Sequence, residues 1–447
     1  MVSPTIFILK LLGASERKVL MSTGHNSGIV TRRNFLQWSQ SMLAMLGVAP
    51  LVGSSTEAIA ATASSASASV DYYAKLGVKK MINGAGTYTM YTAAVMPPQV
   101  ERAVAEAAKH PVHLKELQLR SGEYVAQKLR CEGAVITCGA SSALTLATAA
   151  CIASANNCKP EDIPQNVGSM KNEVIVQKDH RYGYDHAIFL CGAKIVEVVT
   201  LDDYKRAFNE KTIMTNFFNS AEKGEIGHEQ WLEVAHQHNV PCHIDAAADM
   251  PPISNLWKYT GMGFDLVCFS GGKGIRGPQN AGLLLGKKHL TDLAHENNNP
   301  NEGVGRGMKV AKEQIVGMVA AVDWLLEQTD EGMEKEFTRH ANVIISIVKD
   351  VPTMKATIFT PEVANHVPHL ILTYDPAKVG ITPKEVQQQL RSLDPSIELN
   401  PATGSSRAGN GMPACPNALV VGTWMLLPGE PEIVGHKIRA ALMKGKA

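Results

Sequence analysis

Three short stretches of this sequence combine residue types that suit chemistry better than a plain surface. Asp265-Leu266-Val267-Cys268-Phe269-Ser270-Gly271-Gly272-Lys273-Gly274-Ile275-Arg276-Gly277-Pro278-Gln279 sets Lys273 on a glycine-rich turn directly after an apolar run. Flanking glycines let another group approach the backbone closely. A lysine desolvated near a cation such as Arg276 has a lowered pKa and can act as an amine nucleophile. The turn is not a Walker A loop, because Gly274 stands where that motif needs Ser or Thr. In the second stretch, Val240-Pro241-Cys242-His243-Ile244-Asp245-Ala246-Ala247, a carboxylate closes an apolar strand. A buried acid needs a partner: a protonated heterocyclic nitrogen serves, as does an arginine in a structural pair, and a helix cap is the plainer use. The third, Val135-Ile136-Thr137-Cys138-Gly139-Ala140-Ser141-Ser142-Ala143, leads from a strand-like run into a helical pattern from Leu144 to Ile152. Free N–H groups and the positive dipole end at such a helix start suit a phosphate, with the Ser141 and Ser142 hydroxyls as further donors. The same residues depart from a G-x-S-x-G nucleophile elbow only at the last position, and a serine-capped helix start is a third reading.

Taken together, the three stretches fit one cofactor. Pyridoxal phosphate needs a lysine for its aldehyde, an acid for its ring nitrogen and an anion cradle for its phosphate. Lys273, Asp245 and the Gly139–Ser142 turn supply these. A serine hydrolase using Ser141 leaves the Ser-Gly-Gly-Lys turn unexplained. A non-catalytic binding protein is a third class, and Lys273→Ala separates it from an enzyme.

The elements that must position these residues follow from the apolar pattern. Short runs recur at Val174–Val176, Ile195–Val199, Cys242–Ile244, Leu266–Phe269 and Leu283–Leu285, between helical stretches. Such runs predict a mainly parallel sheet covered on both faces, with ligands at the carboxyl ends of its strands. Pro97-Pro98 opens a helix carrying Val100, Val104, Ala107 and Ala108 on one face. Ile315, Met318, Val319, Val322 and Leu326 mark a long amphipathic helix. Leu370–Leu372, Ile397–Leu399 and Leu419–Val421 belong to a second alternation, and Thr403–Pro416 reads as an exposed loop. We expect an α/β protein with an N-terminal segment and large domain over 71–328 and a smaller C-terminal α/β domain over 329–447.

Composition narrows the classes. The 447 residues carry 43 basic and 42 acidic side chains, a net charge of +1, with 45% apolar and 19% charged residues. That balance excludes a disordered chain and an electrostatically driven nucleic-acid binder. None of the eight cysteines forms a C-x-x-C pair, so no metal site is expected and mostly free thiols are. Thr31-Arg32-Arg33-Asn34-Phe35-Leu36-Gln37 matches a twin-arginine (Tat) export signal, followed by a mildly apolar stretch from Ser41 to Gly53 and the small-x-small site Ala58-Ile59-Ala60. Residues 1–60 are thus expected to be a leader, with Met21 as the true start, the Tat translocase as a transient partner and a periplasmic or otherwise exported destination. Residues 61–70 are a small-residue spacer.

Met81-Ile82-Asn83-Gly84-Ala85-Gly86-Thr87, Cys138-Gly139-Ala140-Ser141, Pro241–Ala248, Ser270–Pro278 and Gly305-Arg306-Gly307-Met308-Lys309-Val310 carry a resemblance. From about Asp71 onward the chain resembles the selenocysteine synthase-like (L-seryl-tRNA selenium transferase-related) pyridoxal-phosphate enzymes, in their D-glucosaminate-6-phosphate ammonia-lyase-like branch. The resemblance implies the aspartate-aminotransferase-like fold (type I), with active sites at the interface of a homodimer or higher oligomer. It makes Lys273 the Schiff-base lysine and Asp245 the partner of the ring nitrogen. Gly139, Ala140, Ser141, Ser142, Ser270 and Gly277 become cofactor contacts. His180 becomes the ring-stacking group, with Tyr184 second, and Arg306 the anchor of a substrate anion.

Two departures matter. Too few residues separate the leader from Met81 for the tRNA-binding domain of true selenocysteine synthases, so no nucleic-acid partner is expected. Tyr91-Thr92-Ala93-Ala94-Val95-Met96 replaces glycine-rich sequence of the lyase-like relatives, which opens the question of substrate. On this reading Lys273 removes the α-proton of an amino acid or amino-sugar acid and loss of a β-substituent releases ammonia and a 2-oxo acid. Transamination, racemisation and sulfur or selenium transfer are the alternatives on the same scaffold.

Overall fold

A computed structural model describes residues 70–219, 224–409 and 411–444, together with the backbone of 19–23 and 26–30. The chain divides into two compact units, residues 1–75 and 76–447. In the first, Val19–Thr23 and Asn26–Val30 pair antiparallel, and Tyr72–Lys75 forms one helical turn. The twin-arginine stretch, the cleavage site and nearly all of the spacer lie outside the described residues.

The second unit is built on a seven-stranded sheet. Its strands lie in the order Gly133–Thr137, Gly282–Gly286, Leu266–Ser270, Cys242–Asp245, Thr212–Phe218, Glu173–Gln177 and Lys194–Val198. Gly282–Gly286 runs antiparallel to both neighbours, and every other pairing is parallel. Alternate side chains of each strand point to opposite faces, and both faces are apolar here. Ile136, Ile175, Ile244, Phe269, Leu283 and Leu285 join one buried cluster. Val135, Val174, Val176, Cys268 and Leu284 join another. The first face is covered by helices Leu114–Lys128 and Lys312–Leu326, through Val125, Ile315, Met318 and Val322. Helices Gly139–Asn156 and Lys288–Asn297 cover the second, through Leu144, Leu146, Leu290 and Ala294. Continuous apolar strands follow from this two-sided covering.

Pattern reading missed the Thr212–Phe218 strand. Thr215 and Asn216 interrupt its apolar run, yet both are fully buried. They are tolerated because each has a cross-strand partner: Thr215 Oγ1 donates to Cys242 Sγ at 3.3 Å, and Asn216 Oδ1 lies 2.7 Å from His243 Nδ1.

A second group of elements carries its own core. Lys355–Phe359, His369–Thr373 and Ala418–Gly422 form an antiparallel sheet, and Ser396–Leu399 pairs in parallel with Met81–Gly84. Ile82 therefore packs with Leu370, Leu399, Val421 and Ile438, more than 280 residues away in sequence. The Thr403–Pro416 segment is irregular, as expected, but not uniformly exposed. Thr403, Met412 and Cys415 are buried, and Thr403 Oγ1 accepts from Val420 N at 3.0 Å. Its small and polar residues hid these anchors. All eight cysteines are free.

Candidate active site

The parallel strands deliver the three chemical stretches to one edge of the sheet. Thr137 and Ser270 face Gly282 across the antiparallel strand, and Asp245 pairs with Cys268 on the next. Thr137, Ser270 and Asp245 thus span three strand spacings, about 14 Å, along the carboxyl edge.

At one end of this line the Gly133–Thr137 strand turns directly into the eighteen-residue helix Gly139–Asn156. Gly139 takes φ +81° with open space around its Cβ position. No side chain caps the helix, so its first N–H groups face outward with the dipole behind them. Ser141 is exposed, whereas Ser142 is buried and its Oγ has no hydrogen-bond partner. A buried hydroxyl without a partner beside an uncapped helix start fits an anion. Among the described residues no histidine bonds the Ser141 hydroxyl, which leaves the hydrolase reading without its base. Gly282 lies so close behind the turn that a Cβ there would sit 2.5 Å from the Gly139 carbonyl carbon.

Lys273 follows the Leu266–Ser270 strand on a tightly closed turn. Gly271 N donates to Ala281 O at 2.8 Å, Gly277 N to Gly271 O at 2.7 Å, and Arg276 N to Lys273 O at 2.9 Å. Gly274 passes so near Met250 O that a Cβ would meet it at 2.0 Å, which locks the turn beneath the loop after Asp245. Ala94 N donates to Gly272 O at 3.0 Å, so the Tyr91–Met96 segment borders the turn. Burial is the largest influence on the Lys273 ammonium and lowers its pKa, while Asp245 and Asp249 act to raise it.

Asp245 is 5% exposed. Its Oδ1 accepts from Ala247 N at 2.9 Å, and its Oδ2 accepts from the Tyr182 hydroxyl. Tyr182 stacks on Phe218 with ring centroids 4.0 Å apart. Four residues on, Asp249 is 2% exposed. Its Oδ2 accepts from Asn219 Nδ2 and from the Tyr259 hydroxyl (3.0 Å), while Oδ1 has no partner. Burial pushes the Asp249 carboxyl up to about 7.

Several expected residues stand differently from the sequence reading. Arg276 does not act on Lys273: its Nη2 donates to Trp424 O at 2.5 Å, and burial alone lowers the lysine. Gly277 spends its N–H on closing the turn and packs toward Met318 and Ala321. His180 is buried edge-on against Phe217 at 4.4 Å, and burial lowers its pKa to about 4. Tyr184 is exposed, 5.5 Å from the Tyr182 ring. Of this stretch it is Tyr182 that reaches Asp245. Arg306 is half-exposed and lies 3.7 Å from Glu302, with no described contact to Lys273 or Asp245. Sequence reasoning missed Tyr182, Asn219, Asp249 and Tyr259. Only Asp249 carried a signal, as a second acid four residues after the strand-end acid.

No protein-family model matches the chain. A D-glucosaminate-6-phosphate ammonia lyase from Salmonella typhimurium is 28% identical over 337 residues, spanning 73% of this chain and 88% of the relative. A 5'-C-glycyluridine monooxygenase-decarboxylase from a Streptomyces species is 25% identical over 341 residues, 73% of this chain and 83% of that protein. L-seryl-tRNA(Sec) selenium transferases match over shorter stretches. The solved structure of a D-glucosaminate-6-phosphate ammonia-lyase superposes with a TM-score of 0.72 at 24% identity, covering 85% of this chain and all of that one. The chain has the α/β fold of the type I pyridoxal-phosphate enzymes, as the resemblance implied.

Proposed function

We propose that this protein is a pyridoxal-phosphate-dependent lyase that releases ammonia from an amino acid or amino-sugar acid. The observation that carries the reading is a half-buried lysine, held in the field of Asp245, on the same sheet edge as an uncapped helix start with an unpartnered serine. The similar Salmonella protein, an ammonia lyase, supports elimination over transamination, racemisation or group transfer.

The residues fit the cofactor. Lys273 would hold its aldehyde, Asp245 its ring nitrogen, and the Gly139–Ser142 helix start, with Ser270, its phosphate. Pyridoxal phosphate supplies a ring that accepts the electrons of the substrate's α-carbon. The protein does the rest. Desolvation favours the neutral amine of Lys273, the form in which Nζ could take a proton from a substrate carbon held beside it. The Asp245 carboxylate, shielded from water, keeps a proton on the ring nitrogen. The Gly139–Ser142 N–H groups would donate to the phosphate, with the helix dipole behind them offsetting part of its charge.

Hydride reduction of the purified protein followed by peptide mapping tests the assignment: the adduct is expected on Lys273, together with visible absorption before reduction. An adduct elsewhere, or none, ends this reading. Ammonia release across a panel of amino acids and amino-sugar acids tests the reaction, and silence across the panel removes the lyase while leaving the cofactor in place.

Export belongs to the same proposal and rests on Arg32 and Arg33. Replacing both with lysine is expected to retain the protein inside the cell with its leader attached. An unchanged distribution would refute export by this route.

A further inference from the structure

We infer that His236, Cys242 and Asp265 form a binding site for a zinc-type divalent metal ion at the amino edge of the sheet, remote from Lys273. Among the described residues these three bring one ligand atom each, nitrogen, sulfur and carboxylate oxygen, within 4.8 Å of one another. They come from three elements: His236 from the end of helix His228–Gln237, Cys242 from the start of its strand, and Asp265 from the residue before Leu266–Ser270. No spacing rule in the sequence joins them, which is why cysteine patterns did not reveal the site.

The geometry is near what tetrahedral zinc demands. Bonds of about 2.0–2.3 Å place ligand atoms roughly 3.3–3.6 Å apart. His236 Nε2 already lies 3.0 Å from Asp265 Oδ2, and even the widest pair must close by only about 1 Å.

The surroundings resemble a prepared shell rather than a lone ion pair. Asp265 Oδ2 also accepts from Cys242 N at 2.8 Å, and Asp265 N donates to Cys242 O at 2.9 Å, so the carboxylate is fixed on the Cys242 backbone and the two residues are held side by side. Thr215 Oγ1 donates to Cys242 Sγ at 3.3 Å, the kind of support that a bound thiolate receives. A recess lined by His236, Asn239, Pro241, Asp265 and His289 borders two of the three groups, with the Cys242 thiol fully buried behind them.

Burial holds the Cys242 thiol protonated, pushed up to about 12. Metal uptake therefore breaks the S–H bond, forms a metal–sulfur bond and releases one proton to solvent, with no change of oxidation state. An ion here ties the amino ends of two adjacent strands to the preceding helix and stabilises the fold by binding the native state alone.

The test uses the full chain without a histidine tag, treated with chelator and titrated with cobalt(II) and with zinc(II). One cobalt per chain is expected, with a thiolate-to-cobalt charge-transfer band that disappears in Cys242→Ser. Zinc affinity is expected to fall by about tenfold or more in His236→Ala, a change on the protein surface that leaves the core intact. No stoichiometric uptake, uptake without the thiolate band, or equal affinity in wild type and His236→Ala each overturns the site.

Discussion

At the scale of single residues, the loop after Asp245 carries an acid whose state the fold controls. Asp249 is held by Asn219 and Tyr259 on one oxygen only and is almost wholly buried. Its carboxyl is raised from 3.8 to about 7, so between those values the native state holds its proton more tightly than the unfolded chain does. Its contribution to stability is complete below about pH 4 and is lost as pH rises through about 7. Asp249→Asn removes the dependence. Urea midpoints at pH 5 and pH 8 should show wild type losing stability relative to the variant, on the order of 1 kcal/mol or more. A constant gap between the two proteins would show that Asp249 does not titrate in this window. The lysine and the strand-end acid were legible in the sequence because glycine flanks and an apolar run are local signals. Tyr182 was not, because it follows the Glu173–Gln177 strand and its hydroxyl reaches Asp245 only across Phe218 of the strand between them.

At the scale of elements, the helix start at Gly139 depends on a strand that touches it from behind. Gly282 sits between Thr137 and Ser270, and a methyl group there would meet Gly139 and Ala140 backbone at 2.5 and 2.8 Å. Neither neighbour is a flexible side-chain tip, so Gly282→Ala must move the turn. We expect destabilisation of about 1–3 kcal/mol and a cofactor dissociation constant raised by about tenfold or more, read by fluorescence titration. Unchanged affinity would mean that the turn does not hold the phosphate. Sequence pattern located both strands and the helix, since each is a continuous apolar run. It did not show that this glycine is a spacer between them. It also passed over Thr212–Phe218, whose buried Thr215 and Asn216 mimic a surface until their cross-strand partners are known.

At the scale of the whole molecule, five histidines report on acid stability. Burial lowers the pKa of His180, His228, His243, His295 and His369, with His180 and His243 at about 4. Below the ordinary histidine range the unfolded chain binds more protons than the native one, so stability present at neutral pH is lost as pH falls through about 6.5 toward 4. This opposes the Asp249 effect and outnumbers it. Denaturation midpoints should therefore drop from pH 7 to pH 4.5, and a flat profile would show that these rings protonate without leaving the core.

What the sequence determined by itself were the local decisions: which runs become strands, where a helix opens, and which lysine and acid stand at strand ends. These depend on neighbours within a few residues, through side-chain period, glycine freedom and apolar continuity. Only the tertiary structure decided which groups meet. It turned Arg276 away to Trp424 and buried His180 against Phe217. It paired Met81–Gly84 with Ser396–Leu399 and gathered His236, Cys242 and Asp265 at one sheet edge. Such meetings follow from strand order and register, which are set by the packing of the whole chain and leave no trace in any short stretch of it.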